Sequence, residues 1–111
     1  MPRKKSLDEE QLTDTNYYIL LSMVQPIHGY GIMQRVKDIS GGVFEIGPAS
    51  LYTSLKKMQD AGLISLVDTG ESDKKVYRIT ESGKKLLKKD YDRRKCMVEQ
   101  GEIIIKELED E

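Results

Sequence analysis

The sequence predicts a mostly helical α+β fold, a winged helix-turn-helix domain followed by a C-terminal dimerisation helix. Three observations carry that prediction. Pro48 opens and Gly62 closes an amphipathic helical run. Two short β-favouring runs, Leu63–Val67 and Val76–Ile79, then flank a polar tip from Asp68 to Lys75. Beyond Thr80 the apolar residues settle into alternating steps of four and three. A short helix feeding a β-hairpin, with a long helix behind it, is the order of a DNA-reading helix, a wing and a dimer stalk.

The elements follow in chain order. Residues 1–11 are charged and aperiodic and read as a flexible N-terminal arm. Residues 12–80 read as the winged-helix domain and 81–111 as the dimerisation helix. Thr13 or Asp14 can cap the first helix, which Pro26 is expected to end. Its body, with Tyr17, Ile19, Leu20, Leu21, Met23 and Val24, is apolar around most of its circumference. Such a helix needs cover on two sides, and a second chain is expected to supply one of them. The second helix spans Gly29–Ile39, with Ile32, Met33, Val36 and Ile39 as its core stripe. Ser40-Gly41-Gly42 stops it, and Val43–Ile46 is a short extended or turn segment.

Helix three buries Leu51, Leu55 and Met58 and turns Ser50, Thr53, Ser54, Lys56 and Lys57 outward. No acid interrupts that outward face before Asp60, which suits a surface laid beside phosphates. The hydroxyls can bond bases or phosphates, and Lys57 reaches either. In the wing only Lys74 and Lys75 have the sign for a backbone contact, because Asp68, Glu71 and Asp73 would be repelled. Thr80 is the expected N-cap of the last helix. Its seam runs Leu87, Tyr91, Arg94, Val98, Gly101, Ile105, Leu108, with Arg94 and Gly101 as imperfect members. Tyr17, Leu20, Leu21 and Val24 of helix one join Leu87, Tyr91, Val98, Ile105 and Leu108 as the expected dimer interface.

Bulk properties narrow the function classes. At 111 residues, 38% hydrophobic and 33% charged, the chain holds one small core. It has no apolar run of membrane-spanning length and no apolar leader after MPRKK, so a cytoplasmic protein is expected. Cys96 is the only cysteine and His28 the only histidine, so neither an internal disulfide nor a metal site is expected. No nucleophile–base pair or phosphate-cradling glycine loop is present; no enzyme and no cofactor are expected. The net charge of −1 hides a strong asymmetry. Residues 74–95 carry ten Lys or Arg against three acids, and residues 99–111 carry six acids against Lys106 alone. Local field, not the sum, decides what approaches a surface.

Several segments together resemble the PadR family of transcriptional regulators. They are His28-Gly29-Tyr30-Gly31-Ile32, then Ala49-Ser50-Leu51-Tyr52 with Leu55, then Ala61-Gly62-Leu63-Ile64, and finally Lys75 through Gly83. The similarity runs over roughly residues 12–110, and the single terminal helix resembles the short members. The resemblance implies a homodimer on double-stranded DNA, most often a repressor on a promoter palindrome, with Tyr30 and Tyr52 approaching the DNA backbone. It also implies a small-molecule effector, although the tryptophan pair that sandwiches planar drugs in several members has no counterpart here. A second reading is a protein–protein adaptor that keeps the fold without reading DNA. The acidic tail favours it, and the acid-free face of helix three disfavours it.

Overall fold

Thr13 starts the first helix by accepting the Asn16 amide on its hydroxyl at 3.1 Å, and the Asp14 carboxylate sits in the first turn. In the computed structural model, which describes residues 11–68, 70 and 75–110, that helix is α1, Asp14–Ser22. The order continues β1 Ile27–His28, α2 Gly29–Ile39, α3 Pro48–Asp60, β2 Ile64–Val67, β3 Val76–Ile79 and α4 Glu81–Glu109. The fold is mostly helical with one small antiparallel sheet in the order β1-β3-β2, a winged helix-turn-helix with a long C-terminal helix. Except for Gln11, the expected N-terminal arm lies outside the described residues.

Three expectations about the first fifty residues need correction. The helix ends at Ser22, short of Pro26: Met23 caps it through its amide on the Leu20 carbonyl, leaving Val24 outside and 51% exposed. Leu20, expected at a dimer interface, is fully buried in the domain's own core beside Ile19 and Met23. α2 and the sheet supply more cover than the sequence disclosed. One source is β1, a two-residue strand with no periodicity to announce it, which pairs Ile27 with Tyr77 and His28 with Val76. Ile39, placed in the core stripe of α2, sits at its rim, 40% exposed.

The core runs through Ile32 and Val36 of α2, Leu51, Leu55 and Met58 of α3, and Ile64, Tyr77 and Ile79 of the sheet. Between α2 and α3, Ser40 accepts the Phe44 amide on its hydroxyl at 2.9 Å, and the Phe44 ring packs on Tyr18 with centroids 4.7 Å apart. Residues 43–46 form no strand.

α3 ends in a paired cap. Gly62, at φ +79°, donates to the Gln59 carbonyl and Leu63 to that of Met58, and the left-handed backbone required there suits glycine. The chain then turns directly into β2, paired with β3 from Ile64 opposite Ile79 to Val67 opposite Val76. Thr80 ties the end of α3 to the start of α4. Its hydroxyl donates to the Gly62 carbonyl at 2.6 Å and accepts the Gly83 amide at 3.1 Å.

α4 has two halves with different surroundings. Gly83, Leu86 and Asp90 are buried against the domain, whereas every residue from Lys95 to Asp110 is exposed. At about 1.5 Å per residue its 29 residues extend ~43 Å. No helix among the described residues is long and apolar enough to cross a membrane.

Candidate nucleic-acid interface

The outward face of α3 is built as its spacing requires. With Leu51, Leu55 and Met58 turned into the core, Ser50, Tyr52, Thr53, Lys56 and Lys57 are exposed and Ser54 is half-buried. Lys56 lies 3.6 Å from Asp60 in a solvent-exposed pair, which holds the lysine only weakly.

Tyr30 and Tyr52, read from separate helices, belong to one place. A Cβ on Gly29 would collide with the phenol ring of Tyr52, so the glycine lets α3 close over the first turn of α2. Tyr30, the next residue, stands 76% exposed beside that contact. Tyr77 lies behind it; burial, with the Tyr52 phenol nearby, pushes the Tyr77 hydroxyl above its ordinary pKa. β1 brings His28 against Val76, so the His28-Gly29-Tyr30 turn adjoins the root of the wing, where Lys75 is exposed. Lys74 falls outside the described residues.

Among the described residues, the four helix N-termini divide into two kinds. α1 and α4 are capped by Thr13 and Thr80 and carry Asp14 and Glu81 in their first turns. α2 and α3 begin at His28 and Gly47 with no side-chain cap and no first-turn acid. Their free amides and positive dipole ends remain open to an anion. These two helices are also the ones that meet at Tyr52 and Gly29. One exposed cation escaped the sequence reading: Arg78, opposite Ser65, on the solvent side of β3. Its signal was the single charge in an otherwise apolar run, for Val76, Tyr77 and Ile79 are buried and Arg78 alone in β3 faces out.

The expected dimer surface is divided by the structure. Val24, Tyr91, Val98, Ile105 and Leu108 are exposed, and Tyr17, Leu21 and Leu87 are half-buried. Arg94, read as an imperfect seam residue, instead serves its own chain. It donates to Asp90 at 2.6 Å, to Asp14 at 2.8 Å and to the Leu12 carbonyl at 3.0 Å, and lies 4.3 Å over the Tyr17 ring. Asp90 is 1% exposed and also accepts Arg93 and the Leu12 amide, each at 3.1 Å. Burial alone would raise its pKa, but hydrogen bonds from Arg94, the Leu12 amide and Arg93 outweigh that and hold it below the ordinary carboxylate value. This cluster fixes the base of α4 to α1. Among the described residues, no group of three His, Cys, Asp or Glu side chains is placed to hold a metal.

Residues 17–89 match the profile of the transcriptional regulator PadR-like family. Among solved structures, PadR of Bacillus subtilis in complex with operator DNA is 30% identical, with TM-score 0.58 over 68% of this chain. The chain spans 45% of that protein's length. A PadR family regulator from Eggerthella lenta is 20% identical, with TM-score 0.67 over 82% of this chain and 77% of the other. A PadR-like transcription factor from Bacteroides fragilis is 22% identical, with TM-score 0.64 over 81% of this chain and 89% of the other. The last two share the fold. No curated protein matches the chain.

Proposed function

The chain belongs to the PadR-like family, whose members are transcriptional regulators and not enzymes, and on that premise we propose that it is a homodimeric repressor of a palindromic promoter operator, acting in the cytoplasm. α3 enters the major groove. Ser50, Thr53 and Ser54 face base edges or flanking phosphates, and Lys56 and Lys57 neutralise the backbone. Tyr30 and Tyr52 hold the phosphate that approaches the first turn of α2, and Lys75, with Lys74, tracks the backbone beside the wing.

One observation supports this most strongly. The acid-free face of α3 lies beside the two uncapped helix N-termini, and no other surface of the described chain joins exposed cations to open backbone donors in this way. The solved operator complex of the Bacillus subtilis relative agrees with it.

The dimer forms through α4 and the exposed edge of α1, with Tyr17, Leu21, Val24, Leu87, Tyr91, Val98, Ile105 and Leu108 at or beside the contact. Because Thr80 links the ends of α3 and α4, a rotation of α4 at the seam moves the reading helix. A small-molecule effector acting at that seam would release the operator by this route.

Selection of binding sites from random duplex DNA tests the proposal. Enrichment of a site with two related halves, their centres about 34–36 Å apart or a multiple of it, is expected. Recovery of unenriched sequence would favour an adaptor that keeps the fold without reading DNA.

A further inference from the structure

The reading face of α3 leaves most of the chain's positive charge unused. Lys84, Lys85, Lys88 and Lys89 form two adjacent pairs one helical turn apart on α4, all exposed, and Lys95 continues the same side two turns on. Two acids share that surface. Glu81 lies 3.1 Å from Lys84 and Asp92 3.4 Å from Lys88, in exposed pairs that hold the lysines only weakly. Arg93 and Arg94 are drawn toward buried Asp90 and stand apart from the patch. Lys85, Lys89, Ser82, Leu63 and Leu86 line a shallow cleft of about 270 Å³, so a hydroxyl donor lies beside two ammonium groups.

Position separates this patch from the reading face. α3 packs on α2 and β2, whereas α4 packs on α1 and β3. Leu51, Leu55 and Met58 of α3 share one core with Leu86 of α4, and each helix turns its exposed side away from that core. The dimer seam does not cover the patch either. Lys85 and Lys89 precede Leu87 and Tyr91 by two residues, about 200° around the helix at ~100° per residue, and so lie nearly opposite the seam.

We infer that the α4 lysines hold the phosphate backbone of a second DNA duplex, so that the operator-bound protein bridges two DNA segments. This second surface presupposes the operator reading above and goes beyond it. The patch fits a polyanion better than a protein. No large apolar side chain is exposed between Glu81 and Lys89, and protein interfaces draw their strength from such anchors. Lysines act as point charges and suit phosphates of any sequence. Thr80 already accepts the Gly83 amide, so the start of α4 lacks the open donors of α2 and α3. The patch therefore holds DNA by charge, without sequence preference. A flank of the operator duplex is the poorer occupant. DNA stays stiff over about 150 base pairs, and reaching α4 from α3 demands a sharp bend around the domain. A separate duplex meets the patch unbent.

Capture of a second duplex tests the bridge. Operator duplex, selected as above, is immobilised and saturated with the protein, and a fluorescent duplex of unrelated sequence is added. Wild type should retain it, and doubling the salt should cut that retention about tenfold, as four neutralised phosphates require. The chain with Lys84→Gln, Lys85→Gln, Lys88→Gln and Lys89→Gln should hold the operator within about twofold of wild type and lose the second duplex at least about tenfold. The same four positions changed to Arg should keep the second duplex; its loss there overturns the proposal. A wild-type chain that holds operator and captures no second duplex overturns it, as does equal capture by the Gln variant. A Gln variant that is folded by circular dichroism yet loses operator and second duplex alike overturns the separation of the two surfaces. Capture of a fluorescent polyglutamate in place of the duplex assigns the patch to an acidic protein and overturns the DNA bridge. A wild-type chain that holds no operator defeats the operator reading separately. Equal binding of unrelated duplex by that chain and its Gln variant then overturns the patch as well.

Discussion

Asp90 should be the most expensive polar residue to remove from this protein. Its carboxylate is 1% exposed and holds three donors, the Leu12 amide from before α1 and Arg93 and Arg94 from the next turn of α4. Asp90→Ala leaves the Leu12 amide unpaired and Arg94 beside the core without its nearest anion. Breaking a buried pair from one side costs about 3–5 kcal/mol. The arginines can recover some hydration, since the Arg93 and Arg94 side chains are 34% and 25% exposed. Arg94 also keeps Asp14 and the Leu12 carbonyl. The expected loss is therefore about 2–4 kcal/mol, which for a domain of this size lowers Tm by roughly 10–25 °C. Asp90→Asn retains one acceptor and should lose about half as much.

Urea unfolding followed by far-UV circular dichroism, at one fixed protein concentration, measures this difference. The pH dependence carries a sign as well. The folded-state pKa of Asp90 is depressed, so its stabilisation is complete above the unfolded-state value of about 4 and is lost as pH falls through the folded value. Wild type should show that acid loss and Asp90→Asn should lack its share of it. A cost below about 1 kcal/mol for Asp90→Ala would refute the reasoning that this cluster anchors α4 to α1.

Other substitutions address other links. Ile105→Glu places a charge in the apolar seam and should move the protein to monomer on a sizing column with loss of operator binding; a surviving dimer would contradict the seam. Lys57→Ala should weaken binding to all duplexes and reduce the salt slope by about one, while Ser50→Ala or Thr53→Ala should change sequence preference. Indistinguishable behaviour would remove the division between phosphate and base roles. Thr80→Val should cost about 1–2 kcal/mol in the same urea assay, through loss of the Gly83 cap and the bond to Gly62.

What the sequence disclosed, it disclosed through local rules. Pro48, Gly62 and Thr80 mark boundaries by backbone chemistry that acts within a turn, and α3, β2 and α4 begin where those residues place them. Long-range pairing left less trace. β1 has two residues and no period, so only its pairing with β3 defines it. The fate of Leu20 depended on how much surface α2 and the sheet could cover, which α1 alone does not record. Arg94 satisfied the heptad count while its side chain was claimed by Asp90, Asp14 and Leu12, the last two about eighty residues away in sequence. In the candidate interface the outward face of α3 was legible from helical spacing. The union of Tyr30 with Tyr52 through Gly29 was not, because it depends on how closely two helices meet.

The claim that α3 reads DNA is tested most directly by a titration of the protein against duplexes from its own upstream region and a scrambled control, each at two salt concentrations. Selective binding by two chains per duplex is expected, weakening steeply as salt rises because lysines displace counterions from phosphates. Equal affinity for both duplexes, or binding indifferent to salt, would contradict it.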